Sequence, residues 1–306
     1  MAAATDWAPV IPGYEIEKRI GAGGMSHVWK ARDLRTGRTV AIKFLSREFA
    51  ANAEDIKRFQ DEERTLEAFD HPGIVKGYEL GFACGSWYYS MEYIDGYDFS
   101  ALLNRKQHLG ESDCLLICES VASALDYAWN EFGVVHCDIK PDNILINTQG
   151  TVKLADLGLC RILGRAAAMQ NGAGGEPLPQ YITGTPDYMS PEQIYGDTEL
   201  DCRADVYSLA ATLYKLATGR FLFPDPDPDA KLRSHCSDEA QAKDPRAFRP
   251  ALSDGFCRLL EAMLVKDRDG RIGSWAAVYE MCSHIEKGLS FQPRTEGGAS
   301  SMKLEA

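Results

Sequence analysis

A short loop of closely spaced chemical groups places the strongest constraint on what this chain can fold into. Residues 134–146 read VVHCDIKPDNILI, in which two apolar, strand-like runs bracket Asp138, Lys140 and Asn143. Such a loop can hold a base for a hydroxyl, a cation for a phosphoryl group and an oxygen for a metal. The strand-like run VKLAD ends thirteen residues after Asn143 at Asp156, another hard oxygen donor. Each group alone could lie in a solvated turn, but the ordered set indicates phosphate chemistry.

A glycine-rich turn between two predicted strands, GAGGMSHV at residues 21–28, supports the same chemistry. Phosphate oxygens need close approach by backbone N–H groups, which a Cβ would block. Alone this signal is weak, because glycine-rich hairpins are common, and it is not a Walker loop, because no Gly-Lys-Ser/Thr follows. Lys43 in the strand VAIK could be an edge lysine that faces water, but the preceding glycine turn favours a phosphate partner.

The periodicity predicts a β-rich first part, to about residue 92, and a helical remainder, which is an α+β organisation. Predicted helices cover residues 54–69, 112–131, 205–218 and 253–265. Residues 164–180 are rich in Gly, Ala and Pro and read as a flexible loop.

Charge and cysteine usage narrow the partners and the compartment. The net charge of −12 disfavours nucleic acid and anionic membranes. The nine cysteines form no CxxC pair, and Cys114 and Cys118, four residues apart, lack the further ligands of a zinc site. Free thiols in a reducing cytosol are therefore expected. We see no signal peptide and no membrane-spanning segment, and we expect a cytoplasmic protein.

In the order GAGGMSHV, VAIK, HCDIKPDN, DLG and SPE, the chain resembles the protein kinase family over roughly residues 14–285. The segments MEYIDG, DIKPDN and GTPDYMSPEQ are most similar to those of bacterial serine/threonine kinases of eukaryotic type. The resemblance implies a two-lobed fold with an extension at 1–13, a β-rich N-lobe at 14–92, a helical C-lobe at 93–285 and a disordered tail at 286–306. It implies ATP-dependent transfer of phosphate to Ser/Thr hydroxyls of protein substrates, with nucleotide between the lobes. No oligomeric state is indicated.

The resemblance also implies roles for individual residues. Those that would take part in the transfer are Asp138 as the base, Lys140, Lys43, its helix partner Glu62 (Glu63 if the register slips) and Thr185. Those that would bind the nucleotide are Gly21, Ala22, Gly23, Gly24, Ser26, Val28, Ala41, Lys43, the gatekeeper Met91, Glu92, Tyr93 and Leu145. Mg²⁺, with Mn²⁺ as an alternative, would be held by Asn143 and Asp156. Glu192 would pair with Arg271, and Asp205 would anchor the catalytic loop.

The sequence departs from the family pattern at four positions. Ser26 for the third glycine, Leu157 for Phe and Ser190 for Ala are modest changes. Cys137, however, replaces an Arg that in the family grips a phosphorylated activation-loop residue, and this predicts a non-RD kinase whose activity does not need that phosphorylation. Residues 159–180 contain no Ser, Thr or Tyr, which leaves Tyr181, Thr183 and Thr185. Alternatively, Cys137 is a neutral packing residue and Thr183 is still autophosphorylated beside another cation.

Two other functions compete with an active protein kinase. A pseudokinase that acts as a nucleotide-binding scaffold would usually lose Lys43, Asp138 or Asp156, and all three are present. A small-molecule kinase is disfavoured by GTPDYMSPEQ, which resembles a peptide-docking segment.

Overall fold

The computed structural model describes residues 8–23, 25–157, 161–162 and 184–288. Gly24, the predicted loop at 164–180 and the end of the predicted tail lie outside the described residues. The described chain divides into two compact units, one of residues 8–97 and 145–157, the other of 98–144, 161–162 and 184–288. Residues 93–97 and 145–157 thus group with the first unit, although the predicted lobe boundary at 92/93 assigned them to the C-lobe. The predicted lobe boundary itself stays a prediction.

The first unit is built on a five-stranded antiparallel sheet, in the order β1-β2-β3-β5-β4. Its strands are β1 (Tyr14–Ala22), β2 (Ser26–Asp33), β3 (Thr39–Leu45), β4 (Gly77–Ala83) and β5 (Ser86–Glu92). The β4–β5 turn is made by Cys84 and Gly85, whose φ angles of 53° and 78° suit a two-residue hairpin turn. The predicted strand character of residues 14–45 is confirmed.

Alternation along the strands gives the sheet two different faces. One face buries an apolar cluster that includes Trp29, Ile42 and Phe44, and Ile11 from the segment before β1 packs into the same cluster. The opposite face carries Lys43. The segment before β1 therefore completes the core on the side of the sheet that lacks the candidate catalytic groups.

Helix α1 (Ala53–Ala68) follows β3, one residue earlier at each end than predicted. Its N-cap Asn52 accepts a hydrogen bond from the backbone N–H of Glu54, and Glu54 and Asp55 complement the helix dipole in the first turn. The helix ends because Phe69 turns extended, with a ψ of 136°. Its buried face includes Phe59 and Leu66, as the apolar periodicity predicts.

The second unit is mainly helical, as predicted. Its helices are α2 (Phe99–Lys106), α3 (Glu111–Phe132), α4 (Pro191–Ile194), α5 (Cys202–Thr218), α6 (Pro228–Cys236), α7 (Asp254–Met263) and α8 (Trp275–Glu286). Helix α5 is buried around almost its whole circumference, which marks it as the centre of this unit. Helix α3 packs on α8 and on α5.

Short strands bracket the loops that carry the sequence motifs. Strands β8 (Ile144–Asn147) and β9 (Val152–Leu154) form a three-stranded sheet with β6 (Gly96–Asp98), in the order β6-β8-β9. Strand β7 (Val134–Val135) pairs antiparallel with β10 (Arg161–Ile162). These strands fix the two ends of the 136–143 segment and the start of the segment at Asp156.

None of the helices in the described ranges combines the length and apolarity needed to cross a bilayer.

Candidate active site

The sheet face opposite the apolar cluster brings several predicted nucleotide-binding residues together. In the strand register, Val28 lies opposite Lys43, Lys43 lies opposite Tyr89, and Ala41 lies opposite Met91. Directly opposed residues in antiparallel strands share a face, so these five side chains project from the same side of the sheet. The register therefore groups one lysine with mainly apolar neighbours, which suits a ligand that is flat and apolar at one end and anionic at the other.

Lys43 lies at the centre of an ionic network in the first unit. Its Nζ donates to Glu62 Oε1 at 2.7 Å and to Oε2 at 3.0 Å, and to Asp156 Oδ1 at 2.8 Å. Tyr89 also donates its hydroxyl to Glu62 Oε1 at 2.7 Å. Glu62, rather than the fallback Glu63, is the residue that contacts Lys43.

Helix α1 explains why Glu62 takes this place. Phe59 lies one turn earlier on the same helix face, and its ring packs on that of Tyr89 with centroids 5.0 Å apart. Tyr89 thus contacts two successive turns of α1, once through its ring and once through its hydroxyl. Tyr89 was not among the predicted site residues, although strand alternation from Met91 places it on the same face of the sheet.

Burial and charge oppose each other in this network. Burial tends to lower the pKa of Lys43, but the carboxylates of Glu62 and Asp156 outweigh it, and the pKa lies above the usual lysine range. Burial raises the pKa of Glu62 to about 7, against the opposing effect of Lys43. The ammonium is therefore held charged, while the negative charge on Glu62 depends on that ammonium.

Asp156 carries an uncommon backbone conformation. Its φ of 62° lies in the left-handed region, where Asp is tolerated better than most residues. Its side chain keeps 47% of its exposure although one oxygen contacts Lys43. An oxygen donor with this exposure beside a lysine can take part in binding a phosphate with its cation.

The second unit holds a separate network around Asp138, which is 8% exposed. Lys140 Nζ lies 2.6 Å from Asp138 Oδ2, and the Thr185 hydroxyl donates to Oδ1 at 2.8 Å. Lys140 also donates to Thr185 Oγ1 at 2.8 Å, which closes a triangle of three side chains. The Asn143 amide donates to the Asp138 carbonyl at 2.8 Å and to Oδ2 at 3.1 Å. Four of the predicted residues thus meet at one carboxylate.

Asp205 in α5 holds the loop that carries Asp138 through hydrogen bonds to its backbone. Its carboxylate accepts the backbone N–H of His136 at 2.6 Å and that of Cys137 at 2.8 Å. Asp205 is 1% exposed, and burial raises its pKa against these two donors and His136. Since α5 is the buried centre of the unit, the loop that carries Asp138 is attached to the least exposed element nearby.

Cys137 is a packing residue in this structure. It is buried in an apolar cluster with Val135, Leu200 and Ala204, against which Trp129 packs. Its φ of 68° is left-handed, and its carbonyl accepts a hydrogen bond from Gln193 at 2.8 Å. The structure agrees with the alternative in which Cys137 is a neutral packing residue. The other part of that alternative, autophosphorylation of Thr183, concerns a residue outside the described ones.

Ser190 has a structural role that its family counterpart Ala could not fill. Its hydroxyl is the N-cap of α4 and forms a capping box with Gln193, which in turn contacts Cys137. Gln193 was not among the predicted residues, although the pattern Ser-Pro-Glu-Gln is a capping-box signature. Next to it, Glu192 forms a buried bidentate pair with Arg271, at 2.6 and 3.0 Å.

The remaining predicted nucleotide residues lie in the first unit. Gly21 and Ala22 end β1, Ser26 begins β2, Glu92 ends β5, Tyr93 follows it and Leu145 lies in β8. Gly23 donates its N–H to Ser26 O at 2.8 Å, and the Glu92 carboxylate pairs with Lys153 at 2.9 Å. Gly24 is outside the described residues.

The donor set suits a metal that arrives with its substrate. No three His, Cys, Asp or Glu side chains of the described residues are grouped so that they could hold an ion alone. Mg²⁺ usually takes one or two protein oxygens and completes its shell with phosphates and water. The half-exposed carboxylate of Asp156 in the first unit and the amide oxygen of Asn143 in the second, whose Nδ2 is turned towards Asp138, are each an oxygen donor of this kind.

Comparison with known proteins points to one family. The sequence model of the protein kinase domain family matches residues 14–284 of this chain. A probable serine/threonine-protein kinase PknB of Bifidobacterium longum is 34% identical over 84% of this chain and 37% of its own length. A probable serine/threonine-protein kinase of Streptomyces coelicolor is 34% identical over 92% and 40%, and PrkC of Bacillus subtilis is 31% identical over 83% and 37%.

This chain spans less than half the length of these three relatives. The match nevertheless covers nearly all of the described residues and includes both networks. The chain therefore belongs to the protein kinase family, and the relatives named here are serine/threonine-protein kinases.

Proposed function

We propose that this chain transfers the γ-phosphoryl group of ATP to Ser or Thr hydroxyls of protein substrates. The observation that carries the proposal is the Asp138 carboxylate held by Lys140, Asn143 and Thr185. An ionised carboxylate accepts about four hydrogen bonds, of which these contacts use three. A substrate hydroxyl can take the fourth.

Asp138 would act as the base in this reaction. The Thr185 hydroxyl already donates to Oδ1 at 2.8 Å, which demonstrates that a hydroxyl fits against this carboxylate. The proton of the substrate hydroxyl would pass to Asp138 as its oxygen bonds to the γ-phosphorus, while the bond from that phosphorus to the β–γ bridging oxygen breaks and ADP leaves. Lys140 would neutralise negative charge near the transferred group, and positioning of this kind supplies most of the catalysis in loose phosphoryl transfer.

The first unit would bind the nucleotide. Gly21 and Gly23 are not required by the fold, because neither has a positive φ, and an added Cβ would meet Val28 at 3.5 Å and Ser26 O at 3.8 Å, ordinary contact distances. Close approach by phosphates gives a reason for glycine at both places. Lys43 would hold the α- and β-phosphates, and Met91, Glu92 and Tyr93 would border the adenine.

Asn143 and Asp156 would hold Mg²⁺, or Mn²⁺ in its place. The bound ion would supply neutralisation of the phosphate oxygens.

We further propose that activity does not require phosphorylation of the activation loop. Cys137 is 3% exposed and packs among apolar residues. A thiol there cannot form the charge-assisted, bidentate pair through which an arginine holds a phosphate. The absence of Ser, Thr and Tyr from residues 159–180 supports the same reading.

We also propose that the protein works in the cytoplasm. None of the cysteines of the described residues forms a disulfide bond, as expected in a reducing compartment. Cell fractionation would test this location, and recovery with an oxidising compartment would contradict it.

Phosphate transfer from radiolabelled ATP with Mg²⁺ to a library of Ser/Thr peptides tests the proposal. We expect incorporation by the native chain and a loss of roughly 10³-fold in Asp138→Asn, since a positioned base contributes about 10²–10⁴-fold. Asp113→Asn, an exposed Asp of α3, is the matched control and should keep the native rate.

Near-native transfer by Asp138→Asn would contradict the role of Asp138. ATP binding by the native chain without transfer to any peptide would favour the pseudokinase instead.

A further inference from the structure

A group of cations lies beside the segment that carries Thr185. Two lysines of the second unit lie over one aromatic ring, with Lys215 Nζ 3.9 Å and Lys231 Nζ 5.2 Å from the ring centroid of Phe221. Arg220, the residue before Phe221, is exposed. We call Lys215, Arg220, Phe221 and Lys231 the cationic shelf.

The shelf is joined to the residues at Asp138. Tyr188, three residues after Thr185, packs edge-on against Phe221 with centroids 6.2 Å apart. Tyr188 donates its backbone N–H to the carbonyl of Thr185 at 2.9 Å, and the Thr185 hydroxyl donates to Asp138 Oδ1 at 2.8 Å, so the tyrosine is linked to the candidate base through one residue. Three extended residues span at most about 10 Å. A peptide whose hydroxyl reaches Asp138 can thus extend over the shelf within a few residues.

The charges of the shelf are only partly balanced by the protein. Lys231 Nζ lies 2.6 Å from Asp187 Oδ1, and both side chains are mostly buried, so this pair is internal. Lys215 donates to the carbonyl of Gly219 at 3.0 Å. Burial lowers the pKa of Lys215, and Arg220 lowers it further against Asp187. Lys215 and Arg220 therefore repel each other, and an added carboxylate would relieve that repulsion.

The net charge of the whole chain makes the local cations of the shelf more informative. The chain has a net charge of −12, so a general attraction for acidic peptides is not expected. A preference for acidic residues would have to come from a local group of cations near the acceptor hydroxyl.

We infer that the cationic shelf selects protein substrates with Asp or Glu a few residues from the acceptor Ser or Thr. The inference rests on the proposed function and adds a substrate class to it. Lys215 and Arg220 would bind the acidic side chain, while the Lys231–Asp187 pair and Phe221 hold Lys215 in place. Charge complementarity of this kind sets specificity more than total affinity.

Peptides that differ only in their flanks test this selection. We would measure kcat/KM for one acceptor sequence with Glu, Gln or Lys at the flanking positions. For the native chain we expect the order Glu, Gln, Lys, with roughly fivefold between Glu and Gln, the size expected of partly exposed charge pairs. Added salt should reduce the ratio.

Variants of the shelf should change that ratio. Lys215→Met keeps much of the packing on Phe221 and should bring the Glu/Gln ratio towards one, and Lys215→Glu should invert it. Arg220→Gln tests the same shelf from an exposed position if the Lys215 variants fold poorly. Arg258→Glu is the control, because it reverses a positive charge outside the shelf, on the exposed side of α7, and it should keep the native ratio.

Equal or better use of the Lys-flanked peptide by the native chain, or a native Glu/Gln ratio in both Lys215→Met and Arg220→Gln, would overturn the inference while leaving the kinase activity in place. No phosphate transfer to any of the three peptides, and none to the Ser/Thr library, would overturn the proposed function and the inference with it.

Discussion

At the scale of single residues, the site depends on charges that are buried in pairs. Glu62 is 4% exposed and has two donors, Lys43 and Tyr89. Breaking a buried pair by removing one partner is strongly destabilising, because the other charge is left in a poorly solvated place. Lys43 thus has a structural role besides its proposed contact with phosphate.

Lys43→Met should lose stability in a pH-dependent way. Removal of the ammonium takes away the effect that lowers the pKa of Glu62, so this pKa rises further above its present value of about 7. A carboxyl group whose pKa is raised by folding contributes stability at pH values below its unfolded pKa. This contribution is lost as the pH rises through its folded pKa. Because the native value is already about 7, we expect the loss relative to native protein to be about 1 kcal/mol larger near pH 8 than near pH 5.

Denaturant unfolding at both pH values would measure this difference. The double variant Lys43→Met with Glu62→Gln removes both charges and should show little of the added pH dependence. A pH-independent loss in Lys43→Met would mean that Glu62 does not depend on Lys43 for its charge.

At the scale of elements, α4 and α5 hold the loop that carries Asp138. Helix α5 supplies Asp205 to two backbone N–H groups, and α4 supplies Gln193 to the carbonyl of Cys137. The loop is thereby bonded on both its N–H and C=O sides within the second unit. The short helix α4 owes its start to the capping box of Ser190 and Gln193.

Gln193→Ala should lower both stability and kcat. It leaves the carbonyl of Cys137 and the N–H of Ser190 without this buried partner, which costs about 1–3 kcal/mol. Because Cys137 precedes Asp138, the loop that carries the base should also move. Ser274→Ala, which removes the N-cap of α8, is the control and should cost about 1 kcal/mol with kcat unchanged.

Equilibrium unfolding together with steady-state kinetics would separate the two effects. A Gln193→Ala variant that loses stability but keeps the native kcat would limit Gln193 to capping.

At the scale of the whole molecule, the two networks belong to two compact units of one chain. Lys43, Glu62 and Asp156 belong to the first, and Asp138, Lys140, Asn143 and Thr185 to the second. Conformational control of such an enzyme would commonly act through phosphorylation of a loop. The residue before Asp138 is here a buried thiol, which removes the usual counter-ion of that phosphate.

Dephosphorylated protein should therefore keep its basal activity. After phosphatase treatment, confirmed by mass, we expect an initial rate within roughly twofold of the untreated protein, because no arginine at position 137 is left to be neutralised. Thr183→Ala should behave in the same way. A large loss of rate in both samples would mean that another cation has taken over the switch.

The sequence alone determined which chemical groups this protein has and in what order. Motifs such as DIKPDN and VAIK predicted Asp138, Lys140, Asn143 and Lys43 because phosphate chemistry needs those groups in short, fixed segments. Periodicity predicted the strands within residues 14–45 and the helices α1, α3, α5 and α7, and the ends of α1 differ by one residue from the prediction, but helices α2, α4, α6 and α8 were not predicted.

The tertiary structure alone decided between Glu62 and Glu63, both buried on α1, because the choice depends on how the helix is rotated against Tyr89. The roles of Gln193, and the meeting of Lys215 and Lys231 at Phe221, likewise became visible only in the fold. The contact between Gln193 and Cys137 joins residues 56 positions apart, and Lys215 and Lys231 reach Phe221 from two different helices, α5 and α6. Their geometry depends on how whole elements pack, which local periodicity and motif spacing do not specify.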